Sequence, residues 1–304
     1  MEERFRKAAF DWLRKQVSEY GDVLPRKILE KGFEFTGQRI TLMGQPGIWK
    51  PGCFSLIPIS VTTVINGPYK DVLDDTGLAI YRYRGGAGDI YHRDKAGLRE
   101  AMKLHVPLIY FYGIAPGKYQ AIWPVHVVGD DPNSLCFTLD LNNAAGIIDH
   151  AEEAASDYSA GDEGHPVRNY LVAAIKQRLH QSVFRENVLR AYNEQCSFCR
   201  LRHVRLLDAA HIIADGEELG DPVVINGMSL CKIHHAAFDS NILGVNPDYV
   251  INVREDILHE SDGPMLKHGI QEMHGHRLIL PYNKKQWPDR ERLELRYDRF
   301  RNAV

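Results

Sequence analysis

Residues 196–239 carry four short signals in a row: Cys196-Ser-Phe-Cys199, Leu207-Asp208-Ala-Ala-His211, Asn226-Gly-Met-Ser-Leu-Cys231 and His234-His235-Ala-Ala-Phe-Asp239. Two of them form a zinc-ligand pattern, because thiolates and an imidazole two residues apart can converge on one tetrahedral ion. His203 is a rival for the fourth ligand, but His234 keeps the two-residue spacing after Cys231. We therefore predict a closed structural zinc site made of Cys196, Cys199, Cys231 and His234.

The predicted zinc site holds together the two ends of the segment between Cys199 and Cys231. This segment contains His211 and Asn226, and His235 follows just after it. A His, an Asn and a second His in this order beside a zinc site resemble the HNH nuclease motif, which is the ββα-metal fold. The resemblance covers about a seventh of the chain. It implies hydrolysis of a phosphodiester with one divalent cation, Mg²⁺ or Mn²⁺. His211 matches the general base, Asn226 the residue that orients the base, and His235 the ligand of the cation.

The second ligand of the catalytic cation is open. The residue before the base often supplies it in this superfamily, and here that residue is Ala210, which has no ligand atom. Asp239 and Asp208 are the two candidates. We favour Asp239, because positions i and i+4 share one face of a helix and Asp239 follows His235 by four residues.

The front of the chain has a signature of its own. Residues 67–77 and 81–86 contain Tyr69-Lys-Asp71, Asp75-Thr-Gly77 and Tyr81-Arg-Tyr83-Arg-Gly85-Gly86. This run is similar to the tyrosine-acid, Asp-Gly and Tyr-x-Gly-Gly run of SRA domains, and the similarity spans about a third of the chain. It implies a domain that flips a cytosine with a C5 substituent out of DNA and into a pocket.

The resemblance also assigns the pocket. Tyr69 and Tyr83 would stack on the base, and Asp71 would accept a hydrogen bond from its amino group. Tyr81 is an alternative to Tyr83, since two phases of the Tyr-x-Tyr-x-Gly-Gly run fit, and Arg84 would lie beside the pocket or the phosphates. Stacking contributes about 1–3 kcal/mol per base, which can offset the few kcal/mol that unstacking costs.

The distribution of charge along the chain agrees with a protein that binds DNA through one basic stretch. The formal net charge is −3, but residues 168–207 contain eight Lys or Arg against two acids. Beside a nuclease motif, such a stretch favours contact with phosphates. Five cysteines, three of them in the predicted zinc site, favour a reducing cytoplasm over a disulfide framework. No apolar run approaches eighteen residues, so the sequence predicts no membrane partner.

The organisation that we predict is α+β, with an amphipathic helix at residues 3–20 and a PUA/SRA-like β-barrel in front of a zinc-stabilised HNH nuclease. Short β-rich runs separated by Gly, Pro and Asn favour the barrel. Residues 149–163 hold six acids and no Lys or Arg. The predicted domains are 1–150 for the reader, 151–168 for an acidic linker and 169–304 for the nuclease.

Together these features predict a type IV-like, modification-dependent restriction endonuclease of the prokaryotic cytoplasm, acting on double-stranded DNA with 5-methylcytosine or 5-hydroxymethylcytosine. One HNH site cuts one strand, so a double-strand cut implies a homodimer. Two alternatives remain open at this point. One is an HNH nickase that reads unmodified DNA or another modification, and the other is a reader of modified DNA that does not cut.

Overall fold

The computed structural model describes residues 1–45, 47–65, 67–69, 71–74, 77–85, 91–141 and 165–303. The chain divides into two compact units, Met1–Ser182 and Val183–Val304. Most of the predicted linker, residues 151–164, lies outside the described residues, and helix His165–Ala191 begins before the predicted linker ends. The division into 1–150, 151–168 and 169–304 stays a prediction.

The first unit is organised around a mixed sheet. Its strands are β1 (Val23–Pro25), β2 (Phe33–Phe35), β3 (Gln38–Ile40), β4 (Ile48–Trp49), β5 (Ser60–Thr63), β6 (Val72–Leu73), β7 (Leu78–Arg82), β8 (Leu108–Ala115), β9 (Lys118–Asp131) and β10 (Cys136–Asp140). The main sheet has the order β4-β5-β8-β9-β10-β7-β6, with β1 paired to β9, while β2 and β3 form a separate hairpin. Strand β5 runs parallel to β8. The order brings β6 and β7 to one end of the sheet, and β7 holds Tyr81.

Three helices accompany this sheet: α1 (Glu2–Tyr20), α2 (Arg26–Lys31) and α3 (Arg93–Lys103). In α1, Phe5, Ala9 and Leu13 recur every four residues and are buried in one cluster with side chains of β8 and β9. This spacing places them on one face of the helix, which is where an amphipathic helix meets a core. The predicted helix at residues 3–20 is therefore confirmed.

The predicted barrel is not confirmed. Within the described ranges the main sheet ends at β4 on one side and at β6 on the other, and these two strands do not pair with each other. Both end strands are only two residues long, so each offers few backbone groups for closure. The mixed helix-and-sheet class is what the structure supports.

The second unit is built on a hairpin and a helix. Its elements are α4 (His165–Ala191, shared with the first unit), β11 (Leu207–His211), β12 (Gly227–Cys231), α5 (Lys232–Asp239), β13 (Leu243–Val245), β14 (Ile251–Val253), α6 (Glu255–Leu258), α7 (Pro264–Gly269) and α8 (Arg290–Arg301). Strands β11 and β12 pair antiparallel, with His211 opposite Gly227. Helix α5 begins directly after β12, so the three elements form a ββα arrangement.

Gly227 lets helix α4 approach this hairpin. A Cβ atom at Gly227 would lie 2.6 Å from Cγ2 of Val188 and 2.8 Å from Cζ of Phe184, both closer than real side chains tolerate. Because this side chain is absent, Phe184 can reach the end of β11, where His211 lies. No helix in the described part of the chain is long and apolar enough to cross a bilayer.

Candidate functional site

The four predicted zinc ligands converge. The ligand atoms of Cys196, Cys199, Cys231 and His234 all lie within 4.8 Å of one another, and Nδ1 of His234 is 3.5 Å from Sγ of Cys196 and 3.2 Å from Sγ of Cys231. Ligand atoms on one tetrahedral zinc ion, with bonds of about 2.0–2.3 Å, lie roughly 3.3–3.8 Å apart. The donor set and its spacing therefore fit zinc. His203, the rival ligand, is exposed and outside the cluster.

His234 is also oriented by its other ring nitrogen. Nε2 is 2.7 Å from the backbone oxygen of Gly269, and a carbonyl oxygen can only accept, so Nε2 carries the proton. This bond leaves the lone pair of Nδ1 facing the sulfur atoms, which is the tautomer that a metal ligand needs. The cluster joins the loop before β11, the end of β12 and helix α5.

His211 is held at the end of β11 by packing. Its ring stacks on Phe184 at a centroid distance of 4.0 Å and an interplanar angle of 17°. Nε2 of His211 is buried and has no hydrogen-bond partner among the residues that the structure describes. Burial lowers the pKa of His211; the carboxylates of Asp215 and Asp239 act against this shift, while His235 adds to it. The ring is therefore kept neutral near pH 7, as a general base requires.

Asn226 acts on the loop that follows His211. The side chain is fully buried; its Oδ1 accepts from the backbone N–H of Ile213 at 2.9 Å, and Nδ2 donates to the oxygens of Ile213 at 2.9 Å and Asp221 at 3.1 Å. Its own backbone oxygen accepts from Ile212 at 2.9 Å. These bonds close the 212–226 loop, so Asn226 positions His211 through the backbone.

We expect Asn226→Ala to destabilise the second unit by about 3 kcal/mol. The change leaves two buried backbone groups of Ile213 and the partly buried oxygen of Asp221 without this partner, and each buried group costs about 1–3 kcal/mol, partly relieved by relaxation. Chemical denaturation of the variant measures the loss. Asn302→Ala, at an exposed position after α8, is the control and should melt like the wild type. An unchanged Asn226→Ala protein would contradict the positioning role.

His235 lies between the two candidate acids. Its Nε2 is 3.3 Å from Oδ2 of Asp239, and its Nδ1 is 3.8 Å from Oδ2 of Asp208. Asp208 is already paired with Lys232 at 3.1 Å and with Arg185 at 3.8 Å. The contact with His235, followed by the two cations, lowers the pKa of Asp208 to about 2. Asp208 is thus an ionised carboxylate whose charge is balanced by Lys232 and Arg185. The side chain of Asp239 is more exposed than that of Asp208.

His211, His235 and Asp239 line one cleft of about 380 Å³, together with Asp215, Arg296 and Arg299. Asp208 does not line it. The two arginines, which the sequence analysis did not identify, come from α8. Arg296 donates to Oδ1 of Asn241 and to the backbone oxygen of Phe238, both at 2.6 Å, so it caps α5, while Arg299 pairs with Glu217 at 2.6 Å.

In the first unit, the predicted acceptor Asp71 is paired with Arg84. The two nitrogens Nη1 and Nη2 of Arg84 donate to Asp71 at 3.2 and 2.6 Å, and Asp71 also accepts from the backbone N–H of Arg82 at 2.7 Å. The side chain of Asp71 is 1% exposed and that of Arg84 is 15% exposed. This pair borders a cavity of about 330 Å³, which Tyr69 also lines.

The Arg84 guanidinium lies between two tyrosine rings. Its central carbon is 3.9 Å from the ring centroid of Tyr81 and 4.6 Å from that of Tyr69. Nε donates to the hydroxyl of Tyr81 at 3.0 Å, and the remaining two N–H groups reach the backbone oxygens of Arg82 and Thr62 at 3.1 and 2.9 Å. Tyr69, Tyr81 and Asp71 therefore form an aromatic slot with an acceptor at its edge, and Arg84 fills it.

Tyr83 does not belong to this slot. Its ring packs on Phe137 at a centroid distance of 4.9 Å, and its hydroxyl bonds Asp130 and, at 3.0 Å, Nη2 of Arg99. Like Tyr81 it is buried and does not line the cavity, so what separates the two is that Tyr81 contacts Arg84 while Tyr83 packs against Phe137 and Arg99. Of the two phases that the sequence left open, Tyr81 is the one that shares contacts to Arg84 with Tyr69 and Asp71.

Comparison with known proteins identifies the hairpin region. Residues 196–246 match the family described as HNH endonuclease, so this part of the chain is an HNH endonuclease domain and the protein carries a nuclease fold. No curated protein matches the sequence.

Three solved structures share weaker similarity. The modification dependent TagI restriction endonuclease is 15% identical with a TM-score of 0.32, covering 95% of this chain and 91% of its own. The SUVH5 SRA domain in a complex with methylated CHH DNA is 18% identical with a TM-score of 0.25, covering 37% and 86%. The type IV phosphorothioation-dependent restriction endonuclease ScoMcrA is 17% identical with a TM-score of 0.21, covering 60% and 45%. At these TM-scores the similarities assign no residue.

Proposed function

We propose that this protein is a modification-dependent DNA endonuclease, in which the second unit hydrolyses a phosphodiester and the first unit recognises a cytosine with a C5 substituent. The observation that carries the proposal is the convergence of His211, His235 and Asp239 in one arginine-lined cleft of an HNH domain. We expect cleavage of a plasmid that contains 5-methylcytosine, while an otherwise identical unmodified plasmid stays intact.

In this proposal His211 takes the proton from the attacking water. Its Nε2 is buried, so Nδ1 is the nitrogen that a water in the cleft can reach. The stacked ring of Phe184 and the loop closed by Asn226 fix the direction of that nitrogen. Arg299, which lines the cleft with a 46% exposed side chain, is placed to bind a phosphate oxygen in exchange for Glu217.

A catalytic Mg²⁺ or Mn²⁺ would be held by Nε2 of His235 and a carboxylate oxygen of Asp239. The cation would stabilise negative charge on the phosphate and on the leaving oxygen. The 3.3 Å separation of these two atoms is close to the roughly 3 Å between neighbouring ligands at metal bonds of about 2.1 Å. Asp208 fits less well, because it lies at the other nitrogen of His235 and is paired with Lys232 and Arg185.

Asp239→Ala should therefore lower the cleavage rate at saturating DNA by about 100-fold or more, and excess Mn²⁺ should restore part of it. A cation that stabilises the transition state contributes several kcal/mol, and losing one of two protein ligands removes much of that. Asp208→Ala is the matched variant and should lose less than about 10-fold. The order of the two effects, measured in a Mn²⁺ titration, decides the ligand; the reverse order would assign Asp208.

The reader would use the slot of Tyr69, Tyr81 and Asp71. A flipped cytosine is planar, stacks between aromatic rings and donates its amino group to a carboxylate. The Arg84 guanidinium is also planar, lies between the rings of Tyr69 and Tyr81, and donates to the Asp71 carboxylate. It therefore occupies the position that a flipped base would take. We propose that the base replaces it, which requires the Arg84 side chain to leave the slot. The 330 Å³ cavity beside the slot would receive the C5 substituent.

Arg84→Ala is then expected to bind DNA with modified cytosine about 10-fold more tightly, since no buried guanidinium has to be displaced. Asp71→Ala should lose the preference for modified over unmodified DNA, because the amino group loses its acceptor. Arg82→Ala, the neighbouring arginine whose side chain bonds the backbone of Ser134, is the control. A folded Arg84→Ala variant with weaker binding would show that Arg84 holds the slot together and does not occupy it in place of a base.

A cut through both strands also requires two active sites, since each chain carries one HNH domain. We therefore propose that two copies of the chain act together on the duplex as a homodimer.

A further inference from the structure

The second unit contains another cavity, of about 640 Å³, away from the reaction cleft. It lies between the last turns of α4, the turn that leads into Cys196, and the segment before α8. Five of the residues that line it are carboxamides, and we call it the carboxamide cavity: Asn187, Asn193, Gln195, Asn283 and Gln286. Arg190, Tyr192 and Tyr282 complete its polar lining.

The carboxamide groups of this cavity are available to a ligand. The side chains of Asn187, Asn193 and Gln286 make no hydrogen bond to any residue that the structure describes. The other two carboxamides use their oxygens within the protein. Oε1 of Gln195 accepts from Arg202 at 3.3 Å, and Oδ1 of Asn283 accepts from the backbone N–H of Lys285 at 3.0 Å. Their NH₂ groups remain as donors, so the cavity suits a ligand rich in acceptors.

The charge around the cavity is positive. Arg190 lines it, and Lys284 and Lys285 are exposed on the segment that forms its wall, against one exposed acid, Glu194, in the turn between Asn193 and Gln195; none of its described lining residues is an Asp or Glu. The ring of Tyr282 is fully exposed at the same edge. Carboxamides, Arg, Lys and an exposed aromatic ring are the groups that contact the phosphates, sugars and base edges of nucleic acids.

Helix α4 connects this cavity to the reaction cleft. Phe184 stacks on His211, and Asn187 and Ala191 follow Phe184 by three and seven residues, so they lie on a neighbouring strip of the same helix face. At a rise of 1.5 Å per residue, the cavity lies about 5–11 Å along the helix from Phe184. This length corresponds to roughly one to three base-pair steps of DNA at about 3.4 Å per step.

We propose that the carboxamide cavity binds the DNA duplex beside the cut site, with Arg190 and the carboxamide NH₂ groups on phosphate and base-edge acceptors and Tyr282 against the sugar-phosphate backbone. The proposal rests on the endonuclease function proposed above. Apart from Val224, the lining residues of this cavity lie outside the 196–246 segment that matches the HNH family.

The test uses the full chain in the His211→Ala background, so that DNA is bound without being cut. Arg190→Ala, Tyr282→Ala and the pair Asn193→Ala/Gln286→Ala are compared by fluorescence anisotropy on one duplex over a range of salt concentrations. We expect each to weaken binding about 10-fold, and Arg190→Ala to reduce the salt slope by about one phosphate contact. Lys267→Ala and Asn302→Ala, both exposed in the same unit, are the controls.

The same substitutions in the active chain separate the two proposals. If the wild type cuts DNA and all three cavity variants bind and cut as it does, the cavity has no part in DNA binding and the inference is overturned. If the wild type neither binds nor cuts DNA, the endonuclease proposal itself fails. Zinc content and thermal melting of each variant confirm that a loss of binding is not a loss of fold.

Discussion

Replacing His211 with Ala is expected to lower the rate of DNA cleavage by about 10²–10⁴-fold, the usual contribution of a general base. DNA affinity and zinc content should stay unchanged, because His211 is neither a zinc ligand nor part of the carboxamide cavity. His203→Ala is the control, since this His is exposed and outside the cleft. Cleavage by His211→Ala at the rate of the wild type would remove His211 from the mechanism.

The pH profile of cleavage should report the same residue. The base works in its neutral form, and burial lowers the pKa of His211 below its ordinary value of about 6.5. The contact with Asp208 raises the pKa of His235, so the profile is measured at saturating Mn²⁺, which competes with the proton on His235. Activity should then persist as pH falls below the ordinary pKa of a His and should decline only when pH reaches the lowered pKa of His211. If the rate already declines while the pH is lowered toward 7, the group that titrates is not a buried, neutral His211.

Removing the zinc is expected to unfold the second unit. Structural zinc sites in small peptides bind the metal with about 10–16 kcal/mol at pH 7, which is as large as the whole stability of a typical domain, about 5–15 kcal/mol. The core of this unit includes Cys196 and Cys231 themselves, so removing the metal disturbs the packing at its centre.

Cys231→Ser, or treatment with a strong chelator, should abolish the cooperative melting of the second unit, and one zinc ion per chain should be released on unfolding of the wild type. Cys53→Ser is the control, because Cys53 is exposed in the first unit and outside the cluster. A zinc-free chain that melts at the same temperature as the wild type would contradict a structural role for the cluster.

Local spacing was enough to predict the zinc cluster and the hairpin that carries His211. The Cys-x-x-Cys and Cys-x-x-His pairs restrict their side chains to one side of a short turn, so few arrangements other than a shared ion remain. Asn226 was predicted as the orienting residue, but its contact with the backbone of Ile213 depends on how the 212–226 loop closes, which spacing does not show.

Other features depend on contacts between distant parts of the chain. Arg296 and Arg299 reach the cleft from α8, more than eighty residues after His211, and the only hint in the sequence is the density of arginine near the C-terminus. The choice between Tyr81 and Tyr83 depends on where β7 ends, which the repeated Tyr-x-Tyr pattern leaves open. The sequence pattern also did not predict the pairing of Arg84 with Asp71 or the open ends of the sheet.

The proposed function is tested by cleavage of three duplexes that differ only in one cytosine, which is plain, 5-methylated or 5-hydroxymethylated, each with Mg²⁺ and with Mn²⁺. We expect that a duplex with a modified cytosine is cut, that the plain duplex is not, and that His211→Ala cuts none of them. Equal cutting of all three would keep the HNH nuclease and contradict the role of the first unit as a reader of modified cytosine.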